Sequence, residues 1–284
     1  MIKQYYYLTK PGIIRGNLMT AAAAFFLAAG SNVDWWLLLA TLLGTGLIIA
    51  SGCVFNNYID RGIDAKMART SKRALVSGSI PVTNAIIYGT VLGLLGFIIL
   101  ATYTNWITVG LGAIGLFFYV VVYGYAKRKS VHGTLVGTIP GATPTVAGYS
   151  AVTNNLDAGA VILFLIMVTW QMAHFYSIAM FRLKDYKAAK LPVLPVVKGM
   201  AATKFQIVAY TLGFISATSA LFAYGYTGFV YLFVMLGIGV AWLLKGMRDF
   251  ENNDDVLWGR KMFLFSLIVL LVFSLTISLN VVLP

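Results

Sequence analysis

Residues 36–73, WLLLATLLGTGLIIASGCVFNNYIDRGIDAKMARTSKR, decide the class of fold. They begin with about 20 apolar residues, enough for one helix to cross a bilayer whose hydrocarbon core is about 30 Å thick. Two amides and two carboxylates then follow: Asn56, Asn57, Asp60 and Asp64. A run of cations comes directly after them. A membrane span that ends in acids and cations indicates a polar site at the edge of the bilayer.

The composition of the whole chain agrees with a membrane protein. Of its 284 residues 60% are hydrophobic, only 21 are Lys or Arg and 9 are Asp or Glu, and the mean hydropathy is +0.84. So few charges cannot coat a soluble globule of this size. We predict an all-α polytopic membrane protein that forms a single domain over residues 1–284. The nine predicted transmembrane helices are 14–29, 36–56, 83–101, 107–125, 133–151, 158–181, 205–224, 228–245 and 262–283.

The cations are sorted by this topology. Every Lys and Arg lies before or at the start of the first span, at the end of span eight, or in the connections after spans two, four, six and eight. The remaining connections contain no Lys or Arg: 30–35, 102–106, 152–157 and 225–227. By the positive-inside rule the N-terminus is cytoplasmic and the C-terminus is external. Topology thus explains the net charge of +12, and we expect membrane lipid, but no nucleic acid, among the partners.

The N-terminal segment has a second interpretation as a signal peptide cleaved after Ala29, because a basic stretch leads into small apolar residues. The aromatic run YYY favours an interfacial anchor instead. No Arg-rich, acid-poor presequence of the mitochondrial kind is present beyond a short basic lead. We therefore expect a multi-pass protein of the bacterial plasma (inner) membrane.

Two cytoplasmic connections, 57–82 and 182–204, are long, whereas the external ones are short turns. Each long connection begins where a span ends in polar residues. We therefore predict that the helices surround a central cavity that opens to the cytoplasmic side.

The spacing of Asn56, Asp60 and Asp64 places all three on one face of a helix that continues from span two. The simpler interpretation is that the acids cap a helix end or pair with Arg61 and Lys66 in solvent. The other interpretation is a magnesium site, because Mg²⁺ is held by one or two carboxylates together with substrate phosphates. Nearby cations would then bind the phosphate: Arg69, Lys72 and Arg73. A hydrophobic cavity behind these residues would suit a lipid diphosphate.

The run Asn56-Asn57-x-x-Asp60-x-x-x-Asp64, followed by Arg73-x-x-x-Ser77-Gly78, resembles the first signature of the intramembrane aromatic prenyltransferases. This chain has Asn57 where many members have Asp, and Ala74 where many have Pro. The first difference removes one candidate ligand and leaves Asn57 as a hydrogen-bonding contact to a ligand or to the diphosphate.

A second block, WQMAHFYSIAMFRLKDYKAAKLPVLPVVKG at 170–199, narrows the resemblance to the haem O synthase (protoheme IX farnesyltransferase) branch. Together with the segment LTKPGIIRGNLMT, the resemblance covers nearly the whole chain. Quinone-prenylating relatives carry a second Asp-x-x-x-Asp where this sequence has Asp185 and Ala189, so a symmetric metal site is not expected. The chain also has Ala173 where that branch usually has Pro.

The resemblance implies transfer of the farnesyl group of farnesyl diphosphate to the vinyl group of haem B, giving haem O. Haem B is then a substrate and not a permanent cofactor, whereas Mg²⁺ is the expected cofactor. The implied metal ligands are Asp60, Asp64 and Asn56, where the ion would act as a Lewis acid. The implied substrate-binding residues are Asn56, Asn57, Arg69, Lys72, Arg73, Lys127, Lys129, His132 and Lys184. Contact with a haem-copper oxidase assembly is a further expectation about partners.

Two more residues are candidate catalytic groups. His174 lies within span six and is either a neutral imidazole bonded to a neighbouring helix or a contact to haem, as an iron ligand or a base. Asp185 lies among cations and is either a solvated ion pair or part of a loop that closes over the diphosphate. His132 lies beside a basic run and is either a headgroup-level residue or a contact to a haem propionate or the diphosphate.

Span five and several aromatic residues are expected to line the cavity. Gly137, Pro140, Gly141 and Pro144 break the helical pattern of span five, and broken backbone at membrane depth is tolerated where it lines a cavity. The alternative is a simple proline kink. Aromatic faces would also stabilise an allylic cation; the candidates are Tyr119, Tyr123, Tyr149 and Phe175.

Other functions remain open at this point. A prenyltransferase acting on a quinone precursor or another aromatic acceptor is the nearest alternative. An ion-coupled transporter using Asp60, Asp64 and His174 is less consistent, because transporters place essential polar groups near the midplane. A non-catalytic subunit of a respiratory complex would leave the acids and the adjacent cations unexplained.

Overall fold

A computed structural model of the chain describes residues 2–248, 250 and 254–280. These residues form helices and connecting turns, with no β-strand among them, as the all-α prediction requires. The long helices are α1 (Pro11–Ala29), α2 (Trp35–Asp64), α3 (Val82–Tyr103), α4 (Trp106–Lys129), α5 (Gly133–Thr153), α6 (Ala158–Phe181), α7 (Gly199–Ala223), α8 (Phe229–Arg248) and α9 (Asp255–Ser278). The short helices are Ile2–Leu8, Ala74–Ser77, Leu183–Ala188 and Leu194–Val197.

Three aspartates begin helices. The Oδ1 atom of Asp34 accepts hydrogen bonds from backbone N–H groups in the first turn of α2. Asp157 does the same for α6 and Asp254 for α9. A carboxylate at a helix N-terminus satisfies donors that have no partner inside the helix. These three acids therefore have a structural explanation, which Asp60 and Asp64, at the opposite end of a helix, do not share.

Eight of the long helices are long and apolar enough to cross a membrane. The exception is α5, which has 21 residues but includes two prolines and several threonines and glycines. The described part of the chain therefore supports a polytopic membrane protein, and the count of nine spans stays a prediction. The predicted end of the last span falls on residues 281–283, outside the described residues.

The helices close into a ring. Each long helix packs on the next along the chain, and α9 packs on α1. Additional contacts join α1 to α5 and α6 to α9. The α1–α5 contact is close enough to require glycine, because a Cβ atom on Gly148 would lie 2.0 Å from the backbone oxygen of Ala21. Large apolar side chains such as Leu94 and Phe233 are exposed on the outside of the ring, where lipid would cover them.

The two long connections meet each other. Met67, after α2, packs with Ala189 and Leu191, after α6, in one small buried cluster. The segments that follow the two polar helix ends thus lie side by side over one end of the bundle.

Candidate functional site

One cavity of about 560 Å³ lies inside the ring, a volume within the range of small-molecule sites. Its wall comes from α1, α2, α4, α5, α6, α9 and both long connections. The charged residues that line it are Lys10, Asp60, Asp64, Arg69, Arg73 and Lys127. Four cations and two carboxylates give this wall a net positive charge, which suits an anionic ligand.

The predicted face of α2 is confirmed. Asn56, Asp60 and Asp64 belong to one continuous helix and all three line the cavity. We call these three residues the acidic face. Asn56 and Asp64 are buried, and Asp60 is half-buried, so these groups are not solvated surface side chains.

The partners of the two carboxylates come from distant segments. Asp60 is bonded to Lys127 and, at 2.9 Å, to Arg128 of α4. Asp64 accepts from the Arg73 guanidinium at 2.7 Å, and its side chain is only 4% exposed. The alternative that pairs the acids with Arg61 and Lys66 in solvent does not describe this arrangement.

The position of the acidic face at a helix C-terminus needs compensation. A negative charge in the last turn of a helix is disfavoured by the helix dipole by about 0.3–1 kcal/mol, and burial adds a desolvation cost. The cations that surround Asp60 and Asp64 offset both terms. Two neighbouring carboxylates that are paired with cations from other segments of the chain are typical of a binding site rather than of helix capping.

Lys10 is a site residue that the sequence interpretation missed. Its Nζ donates to Asn56 Oδ1 at 2.6 Å, and the residue lines the cavity. Its backbone is left-handed, with φ of 52°, a conformation that costs energy for a residue with a side chain. Burial lowers the pKa of Lys10 from 10.5 to about 8. The only signal for it was its place in the segment LTKPG, just before Pro11.

Asn57 does not line the cavity. It follows Asn56 on the helix and is therefore rotated about 100° away from the acidic face. Its Nδ2 donates to the backbone oxygen of Leu8 at 2.7 Å, two residues before Lys10. Asn57 therefore anchors the N-terminal segment. Its position does not support the expected contact with the diphosphate.

The second connection also presents a residue other than the predicted one. Tyr186 lines the cavity, whereas its neighbour Asp185 is half-buried outside it. Burial raises the pKa of Tyr186, and the nearby Arg69 guanidinium partly opposes that rise. The loop that was predicted to close over the diphosphate therefore reaches the cavity through Tyr186 and not through Asp185.

Four of the predicted substrate-binding residues are exposed and absent from the cavity wall: Lys72, Lys129, His132 and Lys184. They belong to the basic clusters that mark topology, and sequence position alone does not separate them from neighbours that face inward. In α4, for example, Lys127 faces the cavity while Lys129, two residues on, does not.

Aromatic side chains line the middle of the cavity. Tyr119 and Tyr123 stack with ring centroids 5.9 Å apart and planes 6° apart, and Phe175 lies on the α6 side. Tyr119 belongs to a π-helical turn, Phe118–Val122, that interrupts α4; such turns are frequent at functional sites. Tyr149 is not part of this wall, because its hydroxyl donates to Asp157 at 3.0 Å near the other end of the bundle.

The prediction that span five lines the cavity is confirmed for its two prolines and for Gly137 and Gly141. The expected break in the helix is wrong, because α5 is continuous through Pro140 and Pro144. Pro144 has no N–H to offer the carbonyl of Pro140. The hydroxyl of Thr143 donates to that carbonyl instead, at 3.1 Å, which keeps the backbone satisfied.

His174 lies on the part of the cavity wall that α6 supplies. It is buried and lines the cavity, stacked on Trp170 with ring centroids 4.6 Å apart. Its Nδ1 contacts Ser266 Oγ of α9 at 2.7 Å. The imidazole is bonded to a neighbouring helix, as the first interpretation expected; it also lines the cavity, and its contact with haem stays a prediction.

The donor set around the acidic face fits Mg²⁺. The described residues contain no group of three or more His, Cys, Asp and Glu side chains able to hold a metal alone. Mg²⁺ does not need one, because it takes hard oxygen donors and completes its shell with substrate phosphates and water. Asp60, Asp64 and the Asn56 oxygen supply such donors. The buried Asn56 Nδ2 has no hydrogen-bond partner in the described structure, and as a donor it suits a phosphate oxygen and not the metal.

An apolar helical ring enclosing a cavity with carboxylates, cations and aromatic faces defines an intramembrane enzyme class that acts on phosphorylated lipids. The chain belongs to the UbiA prenyltransferase family, whose sequence pattern matches residues 17–268. It is therefore a transferase.

Comparisons with individual proteins agree with the family. The chain is 49% identical to a protoheme IX farnesyltransferase of Sodalis glossinidius, over 100% of this chain and 96% of the relative. Its fold is similar to that of digeranylgeranylglyceryl phosphate synthase, with a TM-score of 0.80, 17% identity and coverage of 99% and 98% of the two chains. A UbiA homolog from Archaeoglobus fulgidus bound to DMAPP and Mg²⁺ has a TM-score of 0.74 at 16% identity, covering 97% and 99%.

Proposed function

We propose that this protein transfers the farnesyl group of farnesyl diphosphate to the vinyl group of haem B, giving haem O. The observation that carries the proposal is the acidic face, surrounded by cations, at a cavity in a chain that is 49% identical over its full length to a protoheme IX farnesyltransferase. The comparisons support this function rather than a quinone acceptor or an ion-coupled transporter.

The diphosphate would bind among the cations beside the acidic face, two of which, Arg73 and Lys127, now bond its carboxylates. Lys10, Arg69, Arg73 and Lys127 line the cavity near the acidic face, and guanidinium and ammonium groups are strong donors to phosphate oxygens. Arrival of the diphosphate would give these cations a new anionic partner. The carboxylates of Asp60 and Asp64 would then be free to bind a metal ion.

Asp60, Asp64 and Asn56 would hold Mg²⁺ together with the substrate phosphates, as the homolog from Archaeoglobus fulgidus binds DMAPP and Mg²⁺. When bound, Mg²⁺ supplies a Lewis acid that stabilises negative charge on the departing diphosphate. Lys10, Arg73 and Lys127, which now bond the acidic face, would stabilise the same charge by donating hydrogen bonds to the diphosphate oxygens.

The reaction breaks the bond between the first carbon of the farnesyl group and the diphosphate oxygen, and the electron pair leaves with the diphosphate. The vinyl group of haem B supplies two π electrons for the new carbon–carbon bond, which leaves a cation on the vinyl carbon next to the ring. Water adds there and loses a proton to give the hydroxyl group. Tyr119, Tyr123 and Phe175 would shield the allylic cation and stabilise it with their ring faces.

The location follows from the same features. Apolar helices place the protein in a membrane, and the sorting of Lys and Arg supports a cytoplasmic N-terminus and an external C-terminus in a bacterial plasma membrane. The acidic face would then meet soluble Mg²⁺ on the cytoplasmic side. A haem-copper oxidase assembly is the expected recipient of the product.

The test is mass spectrometry of haem extracted after purified, detergent-solubilised protein is incubated with haem B, farnesyl diphosphate and Mg²⁺. The matched variants are Asp64→Asn, in the acidic face, and Asp34→Asn, where asparagine is an equally good helix cap. We expect a farnesylated, hydrated haem from the wild type and from Asp34→Asn only. No product from folded protein that binds the diphosphate would indicate another aromatic acceptor, and failure to bind any prenyl diphosphate would favour a transporter.

A further inference from the structure

The two ring nitrogens of His174 have different surroundings. Nδ1 is 2.7 Å from Ser266 Oγ. Nε2 has no hydrogen-bond partner in the described part of the chain, although the ring is buried and lines the cavity. A ring nitrogen that has no protein partner and is open to the cavity indicates that a ligand supplies the partner.

The hydroxyl of Ser266 decides which nitrogen carries the proton. It lies 2.6 Å from the backbone oxygen of Phe263, and a carbonyl oxygen can only accept a hydrogen bond. Since a serine hydroxyl has a single proton, that proton is used toward Phe263. The 2.7 Å contact with His174 is then a hydrogen bond only if Nδ1 donates. A neutral imidazole protonated on Nδ1 has its lone pair on Nε2.

The orientation of the ring is fixed by its neighbours. Trp170, one turn earlier on α6, stacks on the imidazole and donates its indole N–H to the Ser266 backbone oxygen at 2.9 Å. The Phe263 ring lies 5.0 Å away, centroid to centroid. Two residues of α6 are thus bonded to the single residue Ser266 of α9, and the imidazole has little freedom to turn.

A histidine with one nitrogen fixed by a second residue and the other left free is the usual form of a metal ligand in proteins. The described residues, however, offer no cluster of further metal ligands, and the groups in contact with the ring are aromatic side chains and one hydroxyl. The metal must therefore arrive inside a ligand that brings its own equatorial donors. An iron porphyrin meets this requirement and suits the aromatic wall.

We propose that His174 Nε2 ligates the iron of the haem substrate, with Ser266 as the positioning residue that holds the required tautomer. This inference rests on the proposed function. Ligation fixes the centre of the macrocycle against α6, so that the vinyl group is presented at a defined place relative to the acidic face.

The test uses the full-length protein in detergent with ferric haem and without farnesyl diphosphate or Mg²⁺. Absorption and electron paramagnetic resonance spectra report a nitrogen ligand to iron, and titration gives the dissociation constant. We expect the wild type to show nitrogen ligation, His174→Ala to lose it, and added imidazole to restore it. Ser266→Ala should weaken haem binding by about 10–100-fold, the usual effect of removing the partner of a ligating histidine.

Two controls separate ligation from packing. Ser274→Ala removes a buried hydroxyl from the same helix outside the cavity, and it should keep the wild-type spectrum. Iron-free protoporphyrin IX should bind the wild type, His174→Ala and Ser266→Ala equally. An unchanged haem spectrum in His174→Ala would overturn the inference, as would an equal loss of affinity for the iron-free ring.

Failure of this inference is distinguishable from failure of the proposed function. If the wild type makes haem O while His174→Ala keeps the haem spectrum, the function stands and the ligation is wrong. If the wild type binds haem through His174 but yields no farnesylated haem, the ligation stands and the proposed transfer is wrong.

Discussion

The two halves of the molecule use the same helical spacing for opposite chemistry. The acidic face on α2 repeats every four residues, and so does a set on α6 that we call the histidine face: Trp170, His174 and Ile178. The first carries amide and carboxylate groups held by cations, whereas the second carries neutral aromatic and apolar groups. The difference supports the proposal that one cavity has an anion and metal side and a separate side for a large aromatic acceptor.

The connections that follow α2 and α6 also differ in the kind of side chain that they bring to the cavity. The segment after α2 brings Arg73 to the acidic face, whereas the segment after α6 brings Tyr186 and an apolar turn to the cavity. The missing second carboxylate at Ala189 agrees with this arrangement, because Ala189 is buried in the cluster between the two connections.

Loss of one carboxylate from the acidic face should have the largest effect. Asp60→Asn and Asp64→Asn retain the shape of the side chain and remove a metal ligand. We expect turnover to fall by about 10²–10³-fold, the usual cost of removing one group that stabilises transition-state charge. Initial rates of haem farnesylation measure the effect, with Asp34→Asn as the matched control. Wild-type rates in both variants would remove the metal site from the account.

Loss of a cation should affect the diphosphate side alone. Lys10→Met and Lys127→Met each remove one charged hydrogen-bond donor, worth about 1.5–3 kcal/mol, or roughly tenfold or more in affinity. We expect weaker binding of farnesyl diphosphate by calorimetry and unchanged binding of haem. Lys66→Met is the control, because Lys66 is exposed and lies outside the cavity. An equal loss in Lys66→Met would mean that only the overall charge matters.

The acidic face itself was predictable because spacing along a helix is a local property. Lys10 and Tyr186 were not, because each reaches the cavity only through the way in which separate segments pack. The position of Lys10 in the cavity depends on its own left-handed backbone, just before Pro11, and on the hydrogen bond from Asn57 to the backbone oxygen of Leu8. Likewise, the hydroxyl of Thr143 bonds the carbonyl of Pro140 that Pro144 leaves without a donor, and α5 stays continuous. The pattern of glycine and proline in the sequence does not predict this hydrogen bond.

A smaller effect should distinguish Tyr186 from Asp185. Tyr186→Phe removes a hydroxyl from the cavity wall near Arg69, and a hydrogen bond from that hydroxyl to the substrate would be worth about 0.5–1.5 kcal/mol. We expect a loss of affinity for farnesyl diphosphate of a few-fold, larger than the loss in Asp185→Asn. Titrations of both variants under the same conditions decide the matter. The reverse order would restore Asp185 as the contact from the second connection.

A last prediction concerns the wall between the two faces, where we expect an effect on the stability of the fold and not on substrate affinity. A Cβ atom on Gly141 would lie 1.9 Å from Gln171 Oε1, so Gly141→Ala should destabilise the fold by about 1–3 kcal/mol through overpacking. Gly110→Ala is the matched control, since a Cβ atom there meets nothing within 4 Å. Thermal unfolding in detergent should show a lower midpoint for Gly141→Ala only. Equal midpoints would mean that Gln171 can move aside without cost.

The measurement that tests the division of the cavity most directly is equilibrium binding of both substrates to two variants, Asp64→Asn and His174→Ala. We predict that Asp64→Asn loses Mg²⁺-dependent binding of farnesyl diphosphate and keeps the wild-type affinity for haem, and that His174→Ala does the opposite. If either variant weakens both ligands to the same extent, the acidic face and the histidine face do not serve separate substrates, and the account is wrong.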